Sequence, residues 1–152
     1  MNWDAIGSVG ELIGAVAVIL SLLYVARQVR DGSNQIRLNT TSTMMALTQD
    51  SFSVIYNSQE NQDIWHTGVH RPNDLTEGEH RQFIMYMDRV FYAHQLCVTH
   101  YDAGVIADDV FRMQNGYLKS LCETPGGRKW LTETKQVLSD KTLYYLGVGD
   151  DA

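Results

Sequence analysis

The chain has 152 residues, with 12 lysine and arginine residues against 18 aspartate and glutamate residues, and a net charge of −6 at pH 7. Because the charges are acidic overall and evenly mixed, the composition argues against nucleic acid as a partner. The length leaves room for one folded domain with its own core in addition to a membrane anchor.

The N-terminal stretch Ala5–Ala26 contains 22 residues and one charge, that of Glu11. As a helix it is roughly 33 Å long, which matches a hydrocarbon core of about 30 Å. We therefore predict an N-terminal transmembrane anchor over residues 1–30 and a helical domain over residues 31–152. The alternative is a buried soluble helix, because the strictly uncharged run Leu12–Ala26 has only 15 residues.

The flanks of this stretch predict its position and orientation. Trp3 and Tyr24 are amphipathic rings of the kind that lie at membrane interfaces, and Arg27 and Arg30 follow directly. The N-terminal flank carries Asp4 and no basic residue. The positive-inside rule then predicts that the N-terminus lies outside and that the C-terminal domain is cytoplasmic, with membrane lipids as a partner.

One face of the predicted span consists of small residues at intervals of three or four, namely Gly7, Gly10, Gly14, Ala17 and Ser21. Small residues at this spacing let two helix backbones approach closely in lipid. We expect this face to pack against a second copy of the chain or against another membrane protein. The alternative is that these glycines reflect only the general abundance of glycine in transmembrane helices.

Glu11 is an intramembrane polar residue beside this face. A carboxylate in the apolar zone is costly and by default indicates a functional site with a partner. Three interpretations remain open: a position near the outer headgroups, an interhelical hydrogen bond, or the handling of ions or protons.

The remainder of the chain predicts an all-α fold, in which the anchor is followed by a small helical bundle. After a weak break at residues 31–34, helices are predicted over Ile36–Tyr56 and over Asp63–Thr67, the second ending at Gly68. A third helix is predicted from a capping box at Thr76 to Gly104, and a fourth over Asp108–Glu123. A fifth begins at an N-cap at Thr124 and has Leu138 in its apolar face, and a last short helix follows Ser139.

Few residues suggest chemistry. His66 and His70 are four apart, but the predicted helix end at Gly68 weakens them as a metal pair, so no metal site is predicted. His94 lies on the apolar face of the capped helix and is expected to be a hydrogen-bonded core residue. Cys97 and Cys122 are isolated and are expected to be free, buried thiols.

The segment Pro125–Lys129 combines backbone amides at a helix start with two cations, which could hold a phosphate or a lipid headgroup. The alternative is an ordinary junction between two helices. No catalytic residue is predicted, since no nucleophile, base and orienting group can be assembled from spacing, and no cofactor is expected.

Several segments are similar to an uncharacterised family of bacterial single-span membrane proteins. The opening Asn2–Ala15 and the stretch Tyr24–Arg30 resemble that family, and so do Phe91-Tyr92, Tyr101–Gly104 and Thr124–Trp130. Members often have Asp where Ala107 stands here. The resemblance implies a membrane-anchored helical domain and carries no activity with it.

Three functions follow as hypotheses. The first is a non-enzymatic, membrane-anchored protein whose glycine face forms a homo-oligomer or joins a larger complex as an accessory subunit, with the bundle as a scaffold or docking module. The second is a small oligomeric channel or proton conductor that uses Glu11. The third is an enzyme whose site lies near His94 and Tyr101.

Overall fold

The computed structural model describes residues 3–134 and 137–148, and the described residues form helices and no strand. The helices are α1 (Trp3–Tyr56), α2 (Gln59–His70), α3 (Glu77–Asp102), α4 (Asp108–Cys122), α5 (Pro125–Thr134) and α6 (Asp140–Leu146), with a short 3-10 turn at Pro72–Asp74. The predicted all-α fold is therefore confirmed for the described residues.

The chain divides into two units, Met1–Asn39 and Thr40–Ala152. The described part of the first unit is the N-terminal portion of α1. The predicted break at residues 31–34 is wrong, because α1 continues through it. Ser33 is accommodated inside the helix, where its hydroxyl donates a hydrogen bond to the carbonyl oxygen of Val29 at 2.9 Å.

The second unit contains the core, and α3 contributes the most buried residues to it. Its buried positions recur every three or four residues, as the sequence predicts: Phe83, Tyr86, Met87, Val90, Phe91, His94, Cys97 and Val98. Trp130 of α5 stacks on Phe91 with the ring centroids 4.3 Å apart. The indole N–H of Trp130 donates a hydrogen bond to Oδ1 of Asp88 at 2.8 Å. Asp88 therefore anchors the side chain of a buried tryptophan.

Three predicted helix starts in this unit are confirmed by their caps, whereas α2 begins at Gln59 after an N-cap at Ser58 and not at Asp63 as predicted. Thr76 and Glu79 form the reciprocal capping box of α3. The Thr124 hydroxyl accepts a hydrogen bond from the Gly127 amide at 3.0 Å, and the Ser139 hydroxyl accepts one from the Thr142 amide at 3.3 Å. Ala107 stands at the N-cap of α4 and offers no side-chain hydrogen bond.

Two predicted helix ends are wrong. Helix α2 passes through Gly68 and ends at His70, because the ring of Phe83 packs in the space that a side chain at position 68 would need. Helix α5 is described as far as Thr134, and Leu138 lies outside it, buried just before the cap of α6. Gly104 closes α3 as predicted, with a positive φ of 69°.

Helix α5 packs unusually close to its neighbours. A Cβ at Gly126 would overlap the carbonyl oxygen of Gly68 in α2, and a Cβ at Gly127 would overlap that of Leu121 in α4. Since glycine alone lacks this atom, the paired glycines are what lets three helix backbones come together here.

Candidate functional site

The N-terminal portion of α1 is apolar and unburied. Among the described residues, α1 from Val9 is the one helix long and apolar enough to cross a membrane, and none of its most apolar window is buried. Leu12, for example, is 66% exposed. A core helix of a soluble protein would bury such side chains, whereas those of α1 are exposed in the described structure.

The face of small residues is open. A Cβ added at Gly7, Gly10 or Gly14 would meet no atom within 4 Å. The Ser21 hydroxyl donates a hydrogen bond to the carbonyl oxygen of Ala17 at 2.8 Å, so its donor is satisfied within the helix. In the described structure these residues therefore lie on one accessible face, and the three glycines contact no other part of the chain.

The other predicted membrane residues are also on the surface of α1. Glu11 is exposed, and so is Tyr24, whose hydroxyl accepts a hydrogen bond from Gln28 at 3.2 Å. Nε of Arg27 lies 3.9 Å from Oδ2 of Asp31, and Arg30 is exposed. The side chain of Trp3 lies outside the described residues.

His66 and His70 occupy successive turns of α2, contrary to the expected helix break between them. Their ring centroids are 4.8 Å apart and both side chains are exposed. Within the described parts of the chain, no group of three His, Cys, Asp or Glu side chains could hold a metal ion. The pair therefore lacks the third protein ligand that a metal site ordinarily has.

His94 is a core residue, as predicted, with 3% of its surface exposed. Its Nε2 lies 3.0 Å from Oδ1 of Asn115, whose amide nitrogen donates to the carbonyl oxygen of Tyr145 at 2.8 Å. The Asn115 oxygen can only accept, so Nε2 carries the proton and Nδ1 is left as a buried acceptor without a partner in the described structure. Burial lowers the pKa of His94 to about 4.

Tyr101 and His94 lie against the same aromatic ring but have different polar partners. Both rings lie nearly parallel to Phe111, with centroid distances of 3.9 Å for Tyr101 and 6.1 Å for His94. The Tyr101 hydroxyl is hydrogen-bonded to Asp108, and this bond raises the pKa of Tyr101. The two residues expected to mark an enzyme site thus have separate polar partners.

The segment Pro125–Lys129 forms a packed helix start. The Gly127 amide is used by the Thr124 hydroxyl, and Gly126 lies against the backbone of α2. Lys129 Nζ lies 3.4 Å from Oδ1 of Asn73. The junction interpretation accounts for these contacts.

The two cysteines are buried free thiols, as predicted. Burial raises the pKa of Cys97 to about 11 and that of Cys122 to about 12. Neither thiol therefore forms an appreciable fraction of the reactive thiolate at neutral pH.

A cavity of about 330 Å³ in the second unit is not predicted from the sequence. It lies between α1, α3 and α4. The Gln114 amide nitrogen donates to the Thr48 hydroxyl across it at 3.3 Å. The one signal for it in the sequence is the number of methionines, two of which line the cavity. The cavity is lined by Met45, Thr48, Gln49, Phe52, Val90, His94, Met113, Gln114, Tyr117 and Leu118.

Comparison of the chain with protein families, with curated proteins and with solved structures gave no match. The resemblance to single-span bacterial proteins therefore stays a prediction.

Proposed function

We propose that the protein is a non-enzymatic, single-pass membrane protein of the bacterial inner membrane. The helix near the N-terminus anchors it, and the helical domain serves as a scaffold or docking module in the cytoplasm. The face Gly7, Gly10, Gly14, Ala17 and Ser21 packs against a second copy or against another membrane protein, in which case the chain is an accessory subunit.

The observation that carries the proposal is the unburied apolar surface of α1 near the N-terminus. Side chains such as Leu12, Val16 and Leu20 are about half exposed or more. In water, each such side chain would cost roughly 1.5–3 kcal/mol relative to burial, and a bilayer removes that cost. Helical structure also satisfies the backbone hydrogen bonds internally, as hydrocarbon requires.

The packing role of the glycine face rests on its accessibility. The three glycines contact nothing within 4 Å beyond their own helix, so a second helix can approach the backbone there. The opposite face carries large side chains such as Leu12 and Val16, which hold a neighbouring backbone farther away. The two faces thus differ in how closely another helix can pack.

The experiment tests anchoring and packing in the full chain. Membranes of expressing cells are washed with alkaline carbonate, and the extracted protein is then sized by light scattering in a mild detergent. The wild type is expected to stay with the membranes and to form a particle larger than the 17.2 kDa chain. Gly10→Leu plus Gly14→Leu is expected to stay with the membranes but to shift to the single-chain mass.

The matched control is Leu12→Phe plus Val16→Leu, which adds bulk roughly half a turn away on the same segment. It should retain the mass of the wild-type particle. Recovery of the wild type in the carbonate supernatant would contradict the membrane anchor. A wild-type particle of single-chain mass, or a glycine variant of unchanged mass, would contradict packing through this face.

A further inference from the structure

The cavity between α1, α3 and α4 has the size of a small-molecule site. Its volume of about 330 Å³ is at the lower end of ligand pockets, which span roughly 300–1,000 Å³. An apolar cavity of about 150 Å³ is already large enough for benzene. A molecule of one or two fused rings therefore matches the space in this unit.

The wall of the cavity is uncharged. None of the described residues that line it is lysine, arginine, aspartate or glutamate. His94 is the one lining residue that could gain a charge near neutral pH, and burial lowers the pKa of His94 to about 4, so it is neutral there. A charged ligand would lose its hydration without gaining a counter-ion, which is strongly unfavourable.

The apolar part of the wall suits an aromatic ligand. Phe52 and Tyr117 meet edge to face with centroids 5.8 Å apart. Met45 and Met113 supply polarizable sulfur atoms, which interact favourably with aromatic rings. Met113 is 62% exposed, so it can rearrange around an incoming molecule.

The polar part of the wall contains an acceptor. The side-chain amide nitrogen of Gln114 donates a hydrogen bond to the Thr48 hydroxyl, which leaves the side-chain carbonyl oxygen of Gln114 available. A ligand hydroxyl that donates to this oxygen would add a hydrogen bond inside the cavity.

From the volume, the uncharged wall and the paired rings and methionines, we infer that this cavity binds an uncharged aromatic molecule of one or two fused rings. The inference concerns the folded domain and does not depend on the proposed membrane function.

The test uses the purified full chain, labelled with ¹³C at the methionine methyl groups and titrated with 1-naphthol. This probe is an uncharged two-ring molecule with one hydroxyl. The methyl signals of Met45 and Met113 are expected to shift and to saturate. The signal of Met85, which is 68% exposed on α3 and not part of the cavity, is expected to stay in place.

Two exposed methionines provide a matched pair of variants. Met113→Trp fills the mouth of the cavity and should weaken binding about tenfold, read from Met45, whereas Met85→Trp should leave it unchanged. The anion 1-naphthoate should bind about tenfold more weakly than 1-naphthol. Shifts that rise without saturation, equal affinity in Met113→Trp, or equal affinity for the anion would each overturn the inference.

Discussion

At the scale of single residues, the two ring nitrogens of His94 have different environments. Nε2 is held by Asn115, whereas Nδ1 is buried without a donor. Burial penalises the charged imidazolium more than the hydrogen bond to Asn115 favours it, so the pKa of His94 falls to about 4 from an ordinary value of 6.5. The residue is thus a neutral part of the core at physiological pH.

This shift predicts a loss of stability in mild acid. The unfolded chain binds a proton at His94 near pH 6.5 and the folded chain only near pH 4, so acid favours unfolding in that interval, and His94 adds no pH dependence above it. The free energy of unfolding should fall by about 2 kcal/mol through this residue between pH 7 and pH 4.5. Urea denaturation of the full chain in detergent measures it.

The variant His94→Gln removes the titrating group, so the stability gap between wild type and variant should narrow as the pH falls from 7 to 4.5. The control is His66→Gln, the same substitution at an exposed position of α2, against which the change at His94 is compared. A gap that stays constant between these pH values would show that His94 is not neutral and buried in the folded state.

At the scale of helices, the contact of α5 with α2 and α4 is decided by glycines. Gly126 and Gly127 permit backbone contact with Gly68 and Leu121, and Gly68 leaves room for the ring of Phe83. Other glycines in helices are different, because a Cβ at Gly116 of α4 would meet nothing within 4 Å. The same residue type therefore has opposite consequences at different helix positions.

Replacement by alanine separates these two cases. Gly126→Ala forces a Cβ into the backbone of α2 and should lower the free energy of unfolding by roughly 1–3 kcal/mol. Gly116→Ala adds helix propensity without a clash and should raise it by up to about 1 kcal/mol. Denaturation followed by circular dichroism measures both. Equal effects of the two substitutions would contradict close packing at position 126.

At the scale of the whole molecule, the two units have different physical requirements. The described part of residues 1–39 has an exposed apolar surface, whereas residues 40–152 bury their apolar side chains in a core of their own. An exposed apolar surface is stable in lipid, whereas a domain that buries its apolar side chains is stable in water. This division supports the proposed anchor, and the charges that follow the apolar stretch predict its orientation.

The orientation can be tested with protease on intact spheroplasts. Because Arg27 and Arg30 favour the cytoplasmic side, the folded domain should be protected until the membrane is broken. Arg27→Ala plus Arg30→Ala should make part of the domain accessible from outside. Arg112→Ala plus Lys119→Ala removes the same charge from the folded domain and should not. Cleavage of the wild-type domain in intact spheroplasts would contradict the predicted orientation.

The sequence by itself determined features that depend on neighbouring residues. The capping box at Thr76 and the N-cap at Ser139 use partners three residues away, and the apolar face of α3 follows the helical repeat. The apolar stretch Ala5–Ala26 likewise needs only composition and length to be recognised as a candidate span. Local spacing is sufficient for such features because the interacting groups lie within a turn or two of one helix.

The tertiary structure decided what depends on distant residues. Gly68 does not end α2, because Phe83 of another helix packs beside it, and Gly126 is a contact point because Gly68 lies opposite. The cavity needs side chains from α1, α3 and α4 at once. No spacing along one helix encodes such meetings, since they arise only when separate apolar faces are buried against one another.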